Sequence, residues 1–209
     1  MRLAREGYPL IFTAAAVTAG AWVAGWRRLA APLALGTVAI AAFFRDPERV
    51  IPQGEGLIVA PADGRVTSIA RIEANDFMPE PTTRISIFLS PLDVHINRMP
   101  VAGVVEQAKY RPGKFIAAYK DVASGENEQN ALRLIDEQGR RLAVIQVAGV
   151  VARRIVCHAK PGDAFARGER FGMIMFGSRT DAYLPGDCRI EVCEGQHVVG
   201  GETIVGRFP

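Results

Sequence analysis

Up to Phe44 the chain reads in long uncharged stretches, and beyond Pro52 it never does so again. Tyr8–Trp26 and Leu29–Phe44 carry no charge and are separated only by Arg27-Arg28. Stretches of this kind read as helices; the first is near the length that spans a bilayer and the second is marginal. Tyr8, Trp22 and Trp26 stand near the ends of the first, as interfacial anchors do. A secretory signal peptide fits badly, because a second apolar segment follows and no cleavage signature is convincing. Three placements stay open: a hairpin crossing the membrane twice, a re-entrant or interfacial pair, and a helical pair buried in a soluble protein. Membrane attachment is the expectation among them. Arg2, Arg5, Arg45 and Arg49 flank the outer ends, against Arg27 and Arg28 at the bend. The positive-inside rule then puts the bulk of the chain on the cytoplasmic face of the cell membrane.

Arg45–Pro52 holds two prolines and ends any helix, so it marks the boundary between an N-terminal helical hairpin, 1–44, and a second domain, 45–209. From there β-branched runs alternate with Gly, Pro and Asp: Leu57–Ala60, Arg65–Ile72, Arg84–Leu89, Gly103–Tyr110, Ala131–Ile135, Arg141–Val151, Ile155–His158 and Arg189–Val192. Short runs at such spacing argue for a mainly β sandwich or barrel rather than βαβ units. Helical periodicity recurs only weakly, around Phe115–Val122. Pro61-Ala-Asp-Gly-Arg-Val66 and Pro161–Gly172 each set tight turns beside a strand, and the second resembles the turn region of lipoyl-type barrel-sandwich domains.

A length of 209 residues accommodates one sizeable domain and an appendage. The net charge of +3, with no basic cluster interleaved with aromatics, gives no reason to expect nucleic acid. It is compatible with anionic lipid headgroups. Cys157, Cys188 and Cys193 include no Cys-x-x-Cys pair, so no metal site is expected, and they read as buried free thiols of a reducing compartment.

The chemistry concentrates in Phe171–Pro185, where an apolar run ends at Phe176, a Gly177-Ser178 pair follows, and the sequence turns polar. Glycine allows backbone geometries closed to other residues. In a strained peptide the Ser178 hydroxyl could attack the Gly177 carbonyl and move the acyl group from nitrogen to oxygen. The plainer reading is a strand ending in a Gly-Ser turn.

Phe176-Gly-Ser-Arg179 resembles the self-cleavage site of the phosphatidylserine decarboxylase proenzymes in their short form. Phe44-Arg-Asp-Pro-Glu-Arg49, Ala60-Pro-Ala-Asp-Gly-Arg65, Phe88–Pro100 and Glu126-Asn-Glu-Gln-Asn130 are similar to that family's motifs in the same order. The resemblance implies cleavage at Gly177-Ser178 into a β chain, 1–177, and an α chain, 178–209. It further implies a covalent pyruvoyl group derived from Ser178, a ketone that forms a Schiff base with a substrate amine and accepts the electrons of a departing carboxylate. The substrate it implies is phosphatidylserine in the membrane, with phosphatidylethanolamine and carbon dioxide as products. The cleaved α chain is then the protein's own partner, and a homo-oligomer is compatible with all of this.

By the same resemblance Asp63 matches the family's catalytic aspartate, which orients a histidine, and His95 matches the first of two motif histidines spaced by three in the long form. Arg98 stands where the second would be, and a guanidinium cannot act as a base. Either His95 covers both roles, or Arg98 holds a carboxylate or phosphate while another group assists cleavage. Phe176 and Met175 would supply an apolar environment at the substrate. His158 and His197 match no motif and read as structural; Glu126 and Glu128 read as a solvated loop, with a place near the substrate suggested by the resemblance. Two readings of other classes stay open: a membrane-anchored barrel-sandwich adaptor, whose only lysine near the hairpin is Lys160, and a serine hydrolase using Ser178, His95 and Asp63. No Gly-x-Ser-x-Gly elbow surrounds Ser178, which disfavours the hydrolase.

Overall fold

The computed structural model describes residues 2–75, 77–116, 126–149, 154–175 and 178–209, and the chain divides into two compact units, Met1–Glu48 and Arg49–Pro209. In the first unit, strand β1 (Arg2–Leu3) pairs antiparallel with β2 (Arg45–Asp46), at the two ends of a helical pair. After a single 3-10 turn, α1 (Tyr8–Val23) begins with Pro9 in its first turn, where a missing N–H costs nothing. It gives way to a turn at Gly25, whose φ of 78° suits glycine. Helix α2 (Arg27–Phe43) returns beside it, and the hydroxyls of Thr18 and Thr37 meet at 3.0 Å.

The uncharged run Tyr8–Trp26 is longer than the helix it forms, because Ala24–Trp26 are spent on the turn. At about 1.5 Å per residue, helices of 16 and 17 residues fall short of a hydrocarbon core of about 30 Å. Among the described residues no helix is long and apolar enough to cross a membrane. Phe12, Trp22, Val23, Leu35 and Val38 are nevertheless between 60% and 85% exposed.

The second unit is mainly β. Its strands are β3 (Leu57–Val59), β4 (Gly64–Ile72), β5 (Thr82–Leu89), β6 (Ile96–Arg98), β7 (Gly103–Arg111), β8 (Gln129–Ile135) and β9 (Arg141–Val147), followed by β10 (Ile155–Cys157), β11 (Ala164–Phe165), β12 (Arg170–Ile174), β13 (Ser178–Pro185), β14 (Arg189–Ile190), β15 (His197–Val198) and β16 (Ile204–Arg207). Among the described residues an eight-stranded sheet runs β11-β7-β8-β9-β13-β5-β4-β15, and two three-stranded sheets run β10-β12-β6 and β14-β16-β3. Neighbouring strands pair antiparallel throughout.

Alternation along the strands builds the core. Ile85, Ile87 and Leu89 of β5, Leu142 and Val144 of β9, and Ala182 and Leu184 of β13 are completely buried on one face of the large sheet. Burying one such aliphatic side chain stabilises the fold by about 1.5–3 kcal/mol.

Strands β6 and β16 lie outside the runs read from the sequence, and two further assignments differ from that reading. The run Arg141–Val151 pairs only to Val147, with Val150 and Val151 outside the described residues. Ser178–Pro185 reads as polar chain after the apolar run, yet it is β13, held between β5 and β9. Its charge is accommodated because Arg179 and Asp181, each 1% exposed, pair with one another at 2.9 Å. The suggested helix at Phe115–Val122 is not formed at Phe115–Ile116, and its remainder lies outside the described residues. Of the cysteines, Cys188 is buried and its thiol is pushed up to about 12 by that burial, whereas Cys193 is exposed in a turn, so the expectation of buried thiols fails for it.

Candidate active site

Asp63 is fixed by the turn between β3 and β4. Gly64 sits at φ 147°, and a Cβ there would collide with the Phe88 carbonyl, so only glycine lets the turn close. With the backbone set, Asp63 Oδ1 accepts the Gly200 N–H at 2.8 Å and Oδ2 accepts Arg49 Nη2 at 2.7 Å. Burial raises the carboxyl above its usual range; the Arg49 guanidinium and the Gly200 N–H work against that without cancelling it.

The loop from Ser90 to His95 is organised by Asp93. Its Oδ2 accepts both the Ser90 N–H, at 2.8 Å, and the Ser90 hydroxyl, at 2.7 Å. Its Oδ1 accepts His197 Nε2 at 3.0 Å. Burial would raise this carboxyl, but the donors from Ser90 and His197 outweigh it and leave it below its ordinary value. The Asp93 carbonyl in turn lies 3.0 Å from His95 Nδ1. A carbonyl only accepts, so Nδ1 carries the proton of a neutral His95 and proton exchange falls to Nε2. The His95 side chain is buried, at 1% exposure.

Strand β6 carries this loop against the serine. The His95 carbonyl accepts the Ile174 N–H, in the segment that leads to Ser178. Two residues after His95, Asn97 Nδ2 donates to Thr180 Oγ1 at 3.0 Å, and Thr180 is two residues after Ser178. Gln146 Nε2 donates to Asn97 Oδ1 at 2.9 Å, and Asn130 Nδ2 to Gln146 Oε1 at 3.1 Å. Asn97, Gln146 and Thr180 have no exposed surface, so a buried amide chain ties β8, β9, β6 and β13 together at this end of the core. Ser178 opens β13 opposite Leu89, is completely buried, and its hydroxyl makes no hydrogen bond among the described residues.

His95 and Ser178 are both buried, and the residues two places beyond each, Asn97 and Thr180, bond one another, while Asp63 bonds Arg49 and Gly200 and the Asp93 carbonyl bonds the His95 ring. The Asp63 turn is joined to the same motif through the Arg98 N–H, which donates to the Pro61 carbonyl at 2.8 Å. Arg98 is 4% exposed and its Nη1 donates to the Gly168 carbonyl at 3.0 Å. Phe176 and Gly177 lie outside the described residues. Glu126 pairs with Lys114 on the surface, whereas Asn127 between the two glutamates is fully buried and bonds the backbone of Ile116 and Ala148.

Sequence reasoning gave Asn97, Gln146 and Thr180 no role of their own, counted Arg49 as a motif residue and flanking charge, and read His197 as structural. Gln146 was findable, since it interrupts the core-facing series Leu142, Val144 with an amide. His197 gave no signal, because its partner lies 104 residues away.

A hydroxyl that is buried and, among the described residues, unbonded does not suit a hydrolase, which would need it open to substrate and bonded to its base. Among the described residues no group of acidic, histidine and cysteine side chains is arranged to hold a metal ion. The family profile described as phosphatidylserine decarboxylase matches residues 37–206. The phosphatidylserine decarboxylase proenzyme of Symbiobacterium thermophilum is 46% identical over 207 residues, covering 99% of this chain and 96% of that protein. That of Geotalea uraniireducens is 44% identical over 207 residues, covering 99% and 97%. That of Gluconacetobacter diazotrophicus is 52% identical over 169 residues, covering 79% and 75%. On the match of profile and relatives along nearly its whole length, the chain belongs to the phosphatidylserine decarboxylase family.

Proposed function

We propose that this chain cleaves itself at Gly177-Ser178 and, as a pyruvoyl enzyme, decarboxylates phosphatidylserine to phosphatidylethanolamine and carbon dioxide in phospholipid synthesis. The observation that carries the reading is the Ser178 hydroxyl, buried without a hydrogen bond among the described residues at the head of a strand held on both sides. Among the described residues no hydrogen bond has to be given up for its oxygen to attack the Gly177 carbonyl. The acyl group passes to oxygen, elimination of the ester frees the chain 1–177, and hydrolysis with loss of ammonia leaves the pyruvoyl group on 178–209. When formed, that group supplies a carbonyl for the substrate amine and a sink for the electrons of the departing carboxylate.

The protein's own residues do the rest. His95, with Nδ1 held by the Asp93 carbonyl, acts as the acid in its imidazolium form: Nε2 gives its proton to the carbon that loses the carboxylate and takes one back from solvent before the next turnover. Arg98 keeps a positive charge at the end of β6, where the substrate's carboxylate or phosphate is drawn. Asp63 fastens the turn beside that strand through Gly200 and Arg49. Mass analysis under denaturing conditions tests the reading. Wild-type protein should give fragments of roughly 19 and 3.5 kDa, the smaller blocked to Edman chemistry, and Ser178→Ala should remain one inactive chain. An intact wild-type chain that still decarboxylates would sink the mechanism.

The same reading sets the unit Met1–Glu48 on the cytoplasmic surface of the cell membrane. Supporting it are the exposed Phe12, Trp22, Leu35 and Val38, and the stacking of Arg27 over the Trp22 ring at 5.5 Å beside the turn. Aromatic rings and guanidinium groups at one tip of a short helical pair suit the headgroup region of an anionic leaflet.

A further inference from the structure

We infer that His197 is a positioning residue for His95, acting through Asp93. The inference rests on the reading of His95 as the proton donor given above. His197 Nε2 donates to Asp93 Oδ1 at 3.0 Å, the oxygen that Ser90 leaves unoccupied. The Asp93 carbonyl bonds His95 Nδ1 at 3.0 Å. A single residue therefore stands between the two imidazoles, bonded to one through its side chain and to the other through its backbone.

The geometry gives this contact a purpose that its stabilising effect does not. His197 is about half exposed, and ion pairs in such settings contribute little to folding. What His197 fixes is the second oxygen of a carboxylate whose residue also supplies the carbonyl that chooses the His95 tautomer. With Oδ1 released, Asp93 is held by Ser90, from within the same loop, and among the described residues no other side-chain hydrogen bond reaches it from outside that loop. A proton donor must point at its target to within a fraction of an ångström; a misplacement of about 1 Å costs up to 10²-fold in rate.

The placement of His197 adds a second observation. It opens β15, paired with β4 at Arg65, and three residues later the Gly200 N–H bonds Asp63. The segment His197–Gly200 thus holds both Asp63, in the motif Ala60–Arg65, and Asp93, in the motif Phe88–Pro100. After cleavage at Gly177-Ser178 this segment belongs to the chain 178–209. The short chain that bears the reactive carbonyl also carries the residue that aims the histidine of the long chain at it.

The test compares full-length His197→Leu, which fills the space without a donor, with His197→Gln, whose amide restores one. For His197→Leu, kcat per pyruvoyl group should fall on the order of tenfold with KM unchanged. 15N NMR of the His95 ring should show the Nδ1–H form giving way to a mixture. His197→Gln should recover both kcat and the tautomer, and thermal midpoints should be alike. Normal kcat and tautomer in His197→Leu would overturn the inference while leaving the proposed function intact, provided His95→Ala still loses turnover. Equal losses in both variants with the tautomer preserved would also overturn it, as mere packing. If His95→Ala turns over normally, the assignment of His95 falls first and this inference with it. Should His197→Leu not accumulate, His197→Ala carries the same comparison.

Discussion

One imidazole stands in a motif where the long-form enzymes have two, and chain cleavage and lipid turnover make different demands on it. Cleavage happens once per molecule, so a slow residual rate still brings it to completion. Turnover repeats, so loss of a general acid shows in full, typically as 10²–10⁴-fold. The contacts favour His95 as the acid of the repeated reaction. Its Nδ1 is set by the Asp93 carbonyl, and Asp63, the residue that the resemblance implies would orient it, is bonded to Arg49 and Gly200. His95→Ala should therefore cleave, more slowly than wild type, and its pyruvoyl chain should decarboxylate poorly. A time course of cleavage beside turnover, normalised to pyruvoyl content, measures both. Complete failure to cleave would place His95 in the maturation machinery despite Arg98.

At the scale of elements, the site depends on how β6 is held against β13, and the buried amide chain is what holds it. Replacing Gln146 with Leu removes the donor to Asn97 and the acceptor for Asn130, both buried. Leaving such partners unsatisfied costs about 1–3 kcal/mol, and each kcal/mol lowers the melting temperature of a domain this size by about 2–4 °C. Because Asn97 also grips Thr180, two residues from Ser178, cleavage followed at a temperature where both proteins are folded should slow about tenfold. Wild-type cleavage in Gln146→Leu would reduce the amide chain to core scaffolding. The same elements show what the sequence could reveal. Strands such as β5 and β9 announced themselves, because β-branched residues alternate into one core. Strand β13 did not, because Arg179 and Asp181 look like solvated chain until their mutual pairing is seen. Motifs located Asp63, His95 and Ser178, yet Gly200, which bonds Asp63, and Thr180, which ties the strand of Ser178 to Asn97, come from pairings between distant segments that no local pattern encodes.

For the whole molecule, the reading proposed above gives the chemistry to one unit and the membrane contact to the other. The β-rich unit offers a buried serine and histidine and carries most of its apolar residues inward, with Val50, Leu92 and Tyr110 among the exposed ones. The unit Met1–Glu48 does the opposite: its helices leave Phe12, Val23 and Leu35 exposed at 68%, 85% and 72%. Apolar surface on that scale marks a site of contact, and arginines at the tip and at the outer ends fit an anionic surface. Helices of this length lie in the interface or dip into it more readily than they span it. The attachment proposed above would therefore depend on apolar burial and not on charge alone, which distinguishes it from a peripheral basic patch. Carbonate washing, which strips proteins held by charge, should leave the full-length protein with the membrane pellet. A chain beginning at Arg49 should be found in the wash, still able to cleave itself, since Ser178 and all the bonds around it lie in the second unit. Its turnover should fall steeply on substrate in vesicles while persisting on substrate dispersed in detergent. Full-length protein released by carbonate, or a chain from Arg49 that stays in the pellet, would move the membrane contact off the helices and onto the β-rich unit itself.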